Sequence, residues 1–174
     1  DSPLIYLLDA NTLIDAKRDY FQMHRVPEFW EWLIYQGSIG NIKIPLEVYE
    51  EFKDTVPKDG KKDVLAVWAS QEHVKEALLF QEESQQSLIS EVVYTGYMED
   101  PTDNELVTIG RDPFLISYAL TDKEERIIVT TEVSKPKRKR ANRQIPDVCN
   151  DLGLRCINLF MLLEELDFTT SWNR

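Results

Sequence analysis

The stretch YLLDANTLI, residues 6–14, decides the fold because it places an acid inside an apolar run. Residues 6–8 have the apolar character of a buried strand, and the apolar pattern resumes at Leu13. An unpaired charge in a dry interior costs on the order of several kcal/mol, so Asp9 needs an explanation. Either Asp9 or Asn11 caps the following helix, or Asp9 lies at the carboxyl end of a first strand, where α/β folds bind their ligands. This stretch alone leaves both explanations open.

The composition indicates one globular domain spanning residues 1–174. Hydrophobic residues are 43% and charged residues 29% of the chain, proportions that exclude a disordered or membrane-embedded class. No stretch approaches the roughly 20 apolar residues that span a bilayer, and we expect no signal peptide. The two cysteines form no CxxC motif, which favours a reducing, cytoplasmic location. Neither histidine has a second His or Cys at ligand spacing, which argues against a His/Cys zinc site.

Charge is distributed unevenly along the chain. Before residue 135 there are 12 Lys and Arg against 26 Asp and Glu, a net of −14, whereas residues 135–174 have 8 against 5, a net of +3. Most of this late positive charge lies in KPKRKRANR, residues 135–143, which contains six basic residues and no acid. Such a run is either a solvated loop or a surface that contacts phosphates on a protein otherwise too acidic to bind nucleic acid.

Hydrophobic periodicity and turn residues predict alternating strands and helices. The predicted strands are residues 4–9, 38–45, 126–132 and 154–159. The predicted helices are residues 12–20, 26–37, 46–52, 61–71, 112–120 and 161–166, with a short helix after residues 144–146. Residues 72–98 are predicted to be mostly helical, with a strand near 78–80 left open, and residues 99–105 to be a polar loop.

Proline and glycine mark several of these boundaries. Pro27 and Pro113 occupy the first turns of two helices, and Gly37 is predicted to stop the first of them. Pro45 ends a strand, and Gly60 separates two helices. Apolar strands that alternate with helices imply a parallel sheet covered on both faces. We therefore predict a three-layer α/β/α fold with a central, mostly parallel sheet of about four to five strands.

Acidic residues recur where these strands end. Asp9 ends the first strand, Glu132 ends the strand 126–132, and Asp112 opens a helix that packs beside them. Each has an ordinary alternative: Asp112 followed by proline suits a helix cap, and Glu132 can begin a solvated loop. These alternatives do not explain why several carboxylates fall at the same end of one parallel sheet.

The helix 46–52 offers three glutamates, and its helical phase chooses among them. At about 100° per residue, Val48, Tyr49 and Phe52 form the buried face. Glu51 flanks that face most closely, with Glu47 further round, while the remaining glutamate points away. We therefore expect Glu51 to be the glutamate that reaches the sheet edge. Glu47 is the alternative.

Four segments in order, LLDANTLI, IPLEVYEEF, RDPFLISYA and IIVTTE, resemble the motifs of the PIN domain, a metal-dependent nuclease fold. The tail RQIPDVCNDLGLRCINLFMLLEEL resembles a branch of bacterial proteins related to the VapC toxins. The resemblance implies that four acids are catalytic metal ligands: Asp9, Glu51, Asp112 and Glu132. It implies that four other residues support them: Asn11, Thr130, Glu47 and Asp147. The sequence departs from the family pattern at Glu132, where Asp is usual, and the longer side chain makes a water-mediated contact an alternative.

The resemblance implies a metal-dependent endoribonuclease, the toxin of a toxin–antitoxin pair. Carboxylate ligands without His or Cys select Mg²⁺ or Mn²⁺. The expected partners are RNA, an antitoxin protein and a second copy of the chain in a homodimer, with no membrane. The basic run follows Glu132 directly, which favours a role in holding the RNA backbone. The residues expected to do so are Lys135, Lys137, Arg138, Lys139, Arg140 and Arg143.

Two other classes of function remain to be weighed. One is a PIN-like domain with weak or no catalysis that binds RNA or protein through the same surface. The other is phosphoryl transfer of the haloacid dehalogenase or receiver kind. The dehalogenase kind needs a second aspartate two residues after the first, where this chain has Asn11, and the receiver kind needs an acidic pair at the first strand end. We therefore keep only the binding module as the alternative.

Overall fold

A parallel sheet forms the centre of the protein, for which a computed structural model describes residues 3–53 and 63–174. In these ranges the sheet has five strands, in the spatial order β3-β2-β1-β4-β5, and every neighbouring pair is parallel. The strands are β1 (Ile5–Leu8), β2 (Ile42–Pro45), β3 (Leu79–Phe80), β4 (Arg126–Val129) and β5 (Arg155–Ile157). The strand left open near residues 78–80 is therefore present, as β3.

The first strand lies at the centre of the sheet. Leu7 pairs with Lys43 of β2 on one side and with Ile128 of β4 on the other. Leu7 and Ile128 are completely buried, as expected for strands covered on both faces, which consist of continuous apolar runs. Because neighbouring strands are parallel, their carboxyl ends lie at one edge of the sheet.

Helices cover the sheet and complete the predicted three-layer α/β/α fold. They are α1 (Ala10–Asp15), α2 (Pro27–Ser38), α3 (Leu46–Lys53), α4 (Val64–Ser70), α5 (Glu72–Leu78), α6 (Gln86–Glu91), α7 (Asp103–Ile109), α8 (Asp112–Leu120), α9 (Ile145–Asp151) and α10 (Leu159–Glu165). Two of them, α1 and α6, continue into π-helical turns at Ala16–Tyr20 and Val92–Tyr97. The predicted break at Gly60 lies outside the described residues. Within the described ranges, every helix is too short or too polar to cross a bilayer.

The prediction of a polar loop over residues 99–105 is wrong from Asp103 onward, where α7 begins. Thr102 caps this helix: its Oγ1 accepts the Glu105 backbone N–H at 3.2 Å, and the Glu105 carboxylate accepts the Thr102 N–H at 3.2 Å. This reciprocal pair is a capping box. The T-x-x-E spacing of Thr102 and Glu105 therefore indicates a helix start within a segment whose composition is that of a polar loop.

The prediction that Gly37 stops a helix is also wrong, because α2 continues to Ser38. Gly37 is buried where α2 meets α5, and a Cβ atom there would lie 2.6 Å from the Ala77 carbonyl oxygen. The Lys43 Nζ joins the two helices by donating to the carbonyls of Gly37 at 3.1 Å and Ala77 at 2.9 Å. The left-handed residue after the helix is Gly40, with φ +88°. Gly37 is thus required for close packing rather than for helix termination.

Candidate active site

Asp9 is buried directly after the central strand. Its backbone N–H donates to the Val129 carbonyl at 2.9 Å, which extends the pairing of β1 with β4 by one residue. Its side chain is only 4% exposed, and its Oδ2 accepts a hydrogen bond from the Thr130 hydroxyl at 2.9 Å. Asp9 occupies the N-cap position of α1, yet its carboxylate makes no capping hydrogen bond. Capping therefore does not explain the acid inside this apolar run.

Thr130 joins the ends of β1 and β4. While it donates to Asp9, its Oγ1 accepts the Glu132 backbone N–H at 3.1 Å. The Glu132 carboxylate in turn accepts the backbone N–H of Ile145, the first residue of α9, at 2.8 Å. The T-x-E segment recognised in the sequence therefore forms a hydrogen-bonded turn that connects three elements at one edge of the sheet.

Asp112 and Glu51 approach the same place from two helices. Asp112 is the first residue of α8, whose N-cap is Arg111, and Asp112 has no capping role. Glu51 lies on α3, which packs against α1 and α8. Both side chains are partly buried. We call Asp9, Glu51, Asp112 and Glu132 the acid cluster.

Burial and mutual repulsion raise the pKa values of this cluster. Burial raises the pKa of Asp112 to about 8, and the charges of Asp9, Glu132 and Glu51 add to the shift. Burial likewise raises the pKa of Asp9 to about 7, against the hydrogen bond from Thr130 and with the help of Glu132 and Glu51. Because both glutamates act on Asp9, and all three of these carboxylates act on Asp112, the four side chains share one electrostatic environment.

Among the described residues, a nearby cation opposes the pKa shift of only two members of the cluster, the glutamates. Burial raises the pKa of Glu51, and Arg111 opposes this change. Burial also raises the pKa of Glu132, against the Ile145 N–H and Arg138. By contrast, the groups that act on the pKa of Asp112 are burial and three other carboxylates. Within residues 3–53 and 63–174, negative charge at the aspartates therefore lacks comparable compensation from basic groups.

Tyr97 is a member of this site that the sequence did not reveal. Its hydroxyl is buried and, among the described residues, finds no hydrogen-bond partner. Burial raises its pKa, and the charges of Asp112, Glu132 and Asp9 contribute. Tyr97 ends the π-helical turn Val92–Tyr97, a local geometry that often occurs at functional sites. A tyrosine in an apolar helical pattern carries no signal that distinguishes it from a core residue.

The acid cluster fits a divalent cation by its chemistry. All of its ligand atoms are carboxylate oxygens, the donors that Mg²⁺ and Mn²⁺ prefer, and a cation would offset the burial of its charges. Across residues 3–53 and 63–174, however, no three His, Cys, Asp or Glu side chains are arranged to hold an ion directly. A shared ion would therefore require the side chains to move closer together.

The other predicted supporting acids have partners of their own. Both carboxylate oxygens of Glu47 accept the Tyr118 hydroxyl, at 2.9 and 3.0 Å. Asp147 accepts the Ser134 hydroxyl and, at 2.8 Å, the Lys135 backbone N–H. Asn11 is exposed on α1. Neither Glu47 nor Asp147 is among the groups that shift the pKa values of Asp9 and Asp112, so Glu51 is the helix glutamate of the cluster.

The basic run divides into two parts. Lys135, Lys137, Arg138 and Lys139 are exposed, and Arg138 is the one whose charge acts on Glu132. Arg140 instead forms ion pairs with Asp100 at 2.9 Å and Glu105 at 2.8 Å. Arg143 pairs with Asp151 at 2.6 Å and also donates to the Gly96 carbonyl. The structure therefore uses the last two arginines for contacts within the chain.

Comparison with known proteins gives a family and no named relative. The model of a family described as "Domain of unknown function (DUF4411)" matches residues 6–170. No curated protein and no solved structure matches the chain. The matched range contains the whole acid cluster and the basic run.

Proposed function

The chain belongs to the DUF4411 family, and we propose that it is a divalent-metal-dependent endoribonuclease with a PIN-like active site. The observation that carries the proposal is the convergence of four buried or partly buried carboxylates at the carboxyl edge of a parallel sheet. Ligands of open α/β sheets bind at this edge. A fold retains such mutual repulsion most readily when the charges serve a function.

Asp9, Asp112, Glu51 and Glu132 would hold the Mg²⁺ or Mn²⁺ ion. When bound, the ion would stabilise negative charge on a phosphodiester and lower the pKa of a bound water. The chain itself positions the ligands. Thr130 orients the Asp9 carboxylate by donating to Oδ2. Glu132 would have to turn from the Ile145 N–H towards the aspartates in order to join them at the ion.

RNA is the substrate that the surroundings of the cluster favour. The chain has a net charge of −11, so it attracts a polyanion only where cations are concentrated. The exposed basic residues 135–139 follow Glu132 directly and can contact phosphates beside the cluster. The resemblance to the VapC-related branch supports the finer proposal of a toxin that forms a homodimer and is neutralised by an antitoxin protein.

Metal-dependent cleavage of a mixed RNA pool tests the proposal. Wild type should cleave RNA with Mn²⁺ or Mg²⁺ and lose cleavage with EDTA. Asp9→Asn and Asp112→Asn should each lower the rate by at least about 100-fold, since both remove a charged ligand. Glu51→Gln should do the same, whereas the matched control Glu47→Gln should retain nearly full activity. Full activity of Asp9→Asn would refute the assignment.

A catalytically inactive binding module is the second candidate. It is favoured by the absence, within the described ranges, of three carboxylates arranged around an ion, and by the hydrogen bond that holds Glu132 to Ile145. This candidate predicts that wild type binds RNA and gains thermal stability with Mn²⁺, without cleaving any RNA in the pool. Detection of metal-dependent cleavage would exclude it.

A further inference from the structure

A cavity of about 410 Å³ opens beside the acid cluster, at the carboxyl ends of β4 and β5. Its walls are the segment after β4, the end of β5 and the start of α10, with Asp15 from the end of α1, Tyr20 from the π-helical turn that follows it and Pro146 from α9. Thr130 and Glu132 belong both to this wall and to the candidate active site. The cavity falls within the size range of small-molecule sites, about 300–1,000 Å³.

Two aromatic rings form one side of this cavity. Tyr20 and Phe160 lie edge to face, with ring centroids 5.0 Å apart and an interplanar angle of 83°. They are 50% and 51% exposed, and the neighbouring Met161 is 44% exposed. The rings come from segments far apart in sequence, so the fold brings them together at the surface. Exposed aromatic faces of this kind are the platforms on which unpaired nucleic acid bases stack.

Polar residues line the same cavity as the aromatic pair, and a basic segment adjoins it. Asn158 lines the cavity; its side-chain oxygen accepts the Met161 N–H at 2.9 Å, and its amide N–H₂ group donates to no described residue. Side-chain amides of this type pair with base edges. Ser134 also lines the cavity and is followed by the exposed residues 135–139, four of which are basic. Stacking, a donor for a base edge and cations for phosphates thus adjoin one another.

We propose that this cavity binds an unpaired base of single-stranded RNA, stacked on the face of one ring of the Tyr20–Phe160 pair and in edge contact with the other, because two ring planes 83° apart cannot both lie parallel to one base. The inference rests on the proposed ribonuclease function and adds the substrate class, since a paired base cannot enter a cavity of this kind. With the base in place, the attached phosphates lie between the acid cluster and the basic residues. Stacking supplies affinity that does not depend on charge, which an acidic protein needs in order to hold a polyanion.

Fluorescence anisotropy with labelled RNA hexanucleotides in EDTA tests the cavity without cleavage. One RNA carries bases and the other is abasic throughout. Wild type should bind the base-containing RNA at least about tenfold more tightly, because stacking adds to phosphate contacts. Tyr20→Leu and Phe160→Leu, which keep apolar bulk without a ring, should each reduce this preference severalfold. Tyr20→Phe should preserve it, as should Tyr94→Ala, a control at a tyrosine 53% exposed elsewhere.

The salt dependence separates stacking from charge. The leucine variants should keep the wild-type slope of affinity against salt concentration, because they remove no cation. Equal binding of the two RNAs by wild type would overturn the inference, as would leucine variants that bind like wild type. If the leucine variants bind RNA like wild type and also cleave it like wild type, the proposed ribonuclease function is retained and only the proposed base site is rejected. Base-dependent binding by a wild type that cleaves no RNA would support the base site and reject catalysis.

Discussion

The charge of Asp9 should cost the protein stability when no metal is bound. Asp9→Asn removes that charge while keeping an oxygen that can accept from Thr130. With a pKa of about 7 against an ordinary 3.8, the buried charge lowers the free energy of unfolding at pH 7 by on the order of 2–4 kcal/mol. Asp9→Asn should therefore raise the melting temperature in EDTA. A variant less stable than wild type in EDTA would show that the carboxylate stabilises the fold.

Tyr97 should behave differently from a tyrosine whose hydroxyl is paired. Tyr97→Phe removes a buried hydroxyl for which the described residues offer no partner, and it should raise the free energy of unfolding by about 1 kcal/mol. Tyr6 provides the matched control, because its hydroxyl donates to Glu165 at 3.1 Å. Tyr6→Phe should lower the free energy of unfolding by about 0.5–1.5 kcal/mol. Urea titrations of both variants measure the contrast, and equal effects would contradict it.

At the scale of elements, the sequence predicted segments whose local pattern agreed with their packing. In β1 and β4, buried apolar residues continue to the carboxyl end of the strand, over residues 6–8 and 127–129, and α8 begins with Asp-Pro as predicted. The prediction failed at Gly37, whose role depends on Ala77 of a helix far along the chain. Local hydrophobic periodicity cannot indicate a contact between residues so far apart in sequence. The helix α7 was missed for the opposite reason, since its local capping signal was present and was outweighed by polar composition.

The close contact between α2 and α5 should make Gly37 intolerant of any side chain. In Gly37→Ala, the new Cβ would lie 2.6 Å from the Ala77 oxygen, which belongs to the backbone and cannot rotate away. The substitution should lower the free energy of unfolding by about 1–3 kcal/mol, the usual cost of overpacking. Ser38→Ala, at an exposed neighbour on the same helix, should have little effect. A Gly37→Ala protein as stable as wild type would contradict this prediction, because it would show that α2 and α5 can move apart without a loss of stability.

The basic segment should contribute affinity for RNA through charge. The combined substitution Lys137→Ser, Arg138→Ser and Lys139→Ser should weaken binding of single-stranded RNA, because fewer counterions are released. The slope of log affinity against log salt should fall by up to about 2, at roughly 0.7 for each phosphate contact. Arg140→Ser is the control, since Arg140 already pairs with Asp100 and Glu105. An unchanged slope in the triple variant would assign the segment to a solvated loop.

At the scale of the whole molecule, stability should fall as the pH rises. The pKa values of Asp9 and Asp112 are about 7 and 8 in the folded protein against 3.8 for an ordinary aspartate. Between these values the folded state binds more protons than the unfolded state, so the free energy of unfolding decreases from about pH 4 to pH 8. Thermal melts in EDTA should show this decrease, and Asp9→Asn should reduce it. A stability that rises over this range would contradict the assigned shifts.

The candidate site was predictable from sequence to the extent that strand ends define it. Asp9 and Glu132 follow apolar strands, and Asp112 begins a helix beside them, so topology alone brings them to one edge. The partners of the long side chains were not predictable. Glu47 bonds to Tyr118, and Arg140 pairs with Asp100 and Glu105, through contacts that depend on the folded surface.

The position of β1 has a consequence for how the chain is made. Of the five strands, the one at the centre of the sheet is synthesised first, and β2 is the next strand and pairs with one of its edges. Its other edge pairs with β4, in which Arg126 lies opposite Ile5, so that edge stays open until late in synthesis. Open apolar edges recruit other strands and lead to aggregation. A nascent chain that stops before Arg126 therefore keeps its central strand exposed on one side.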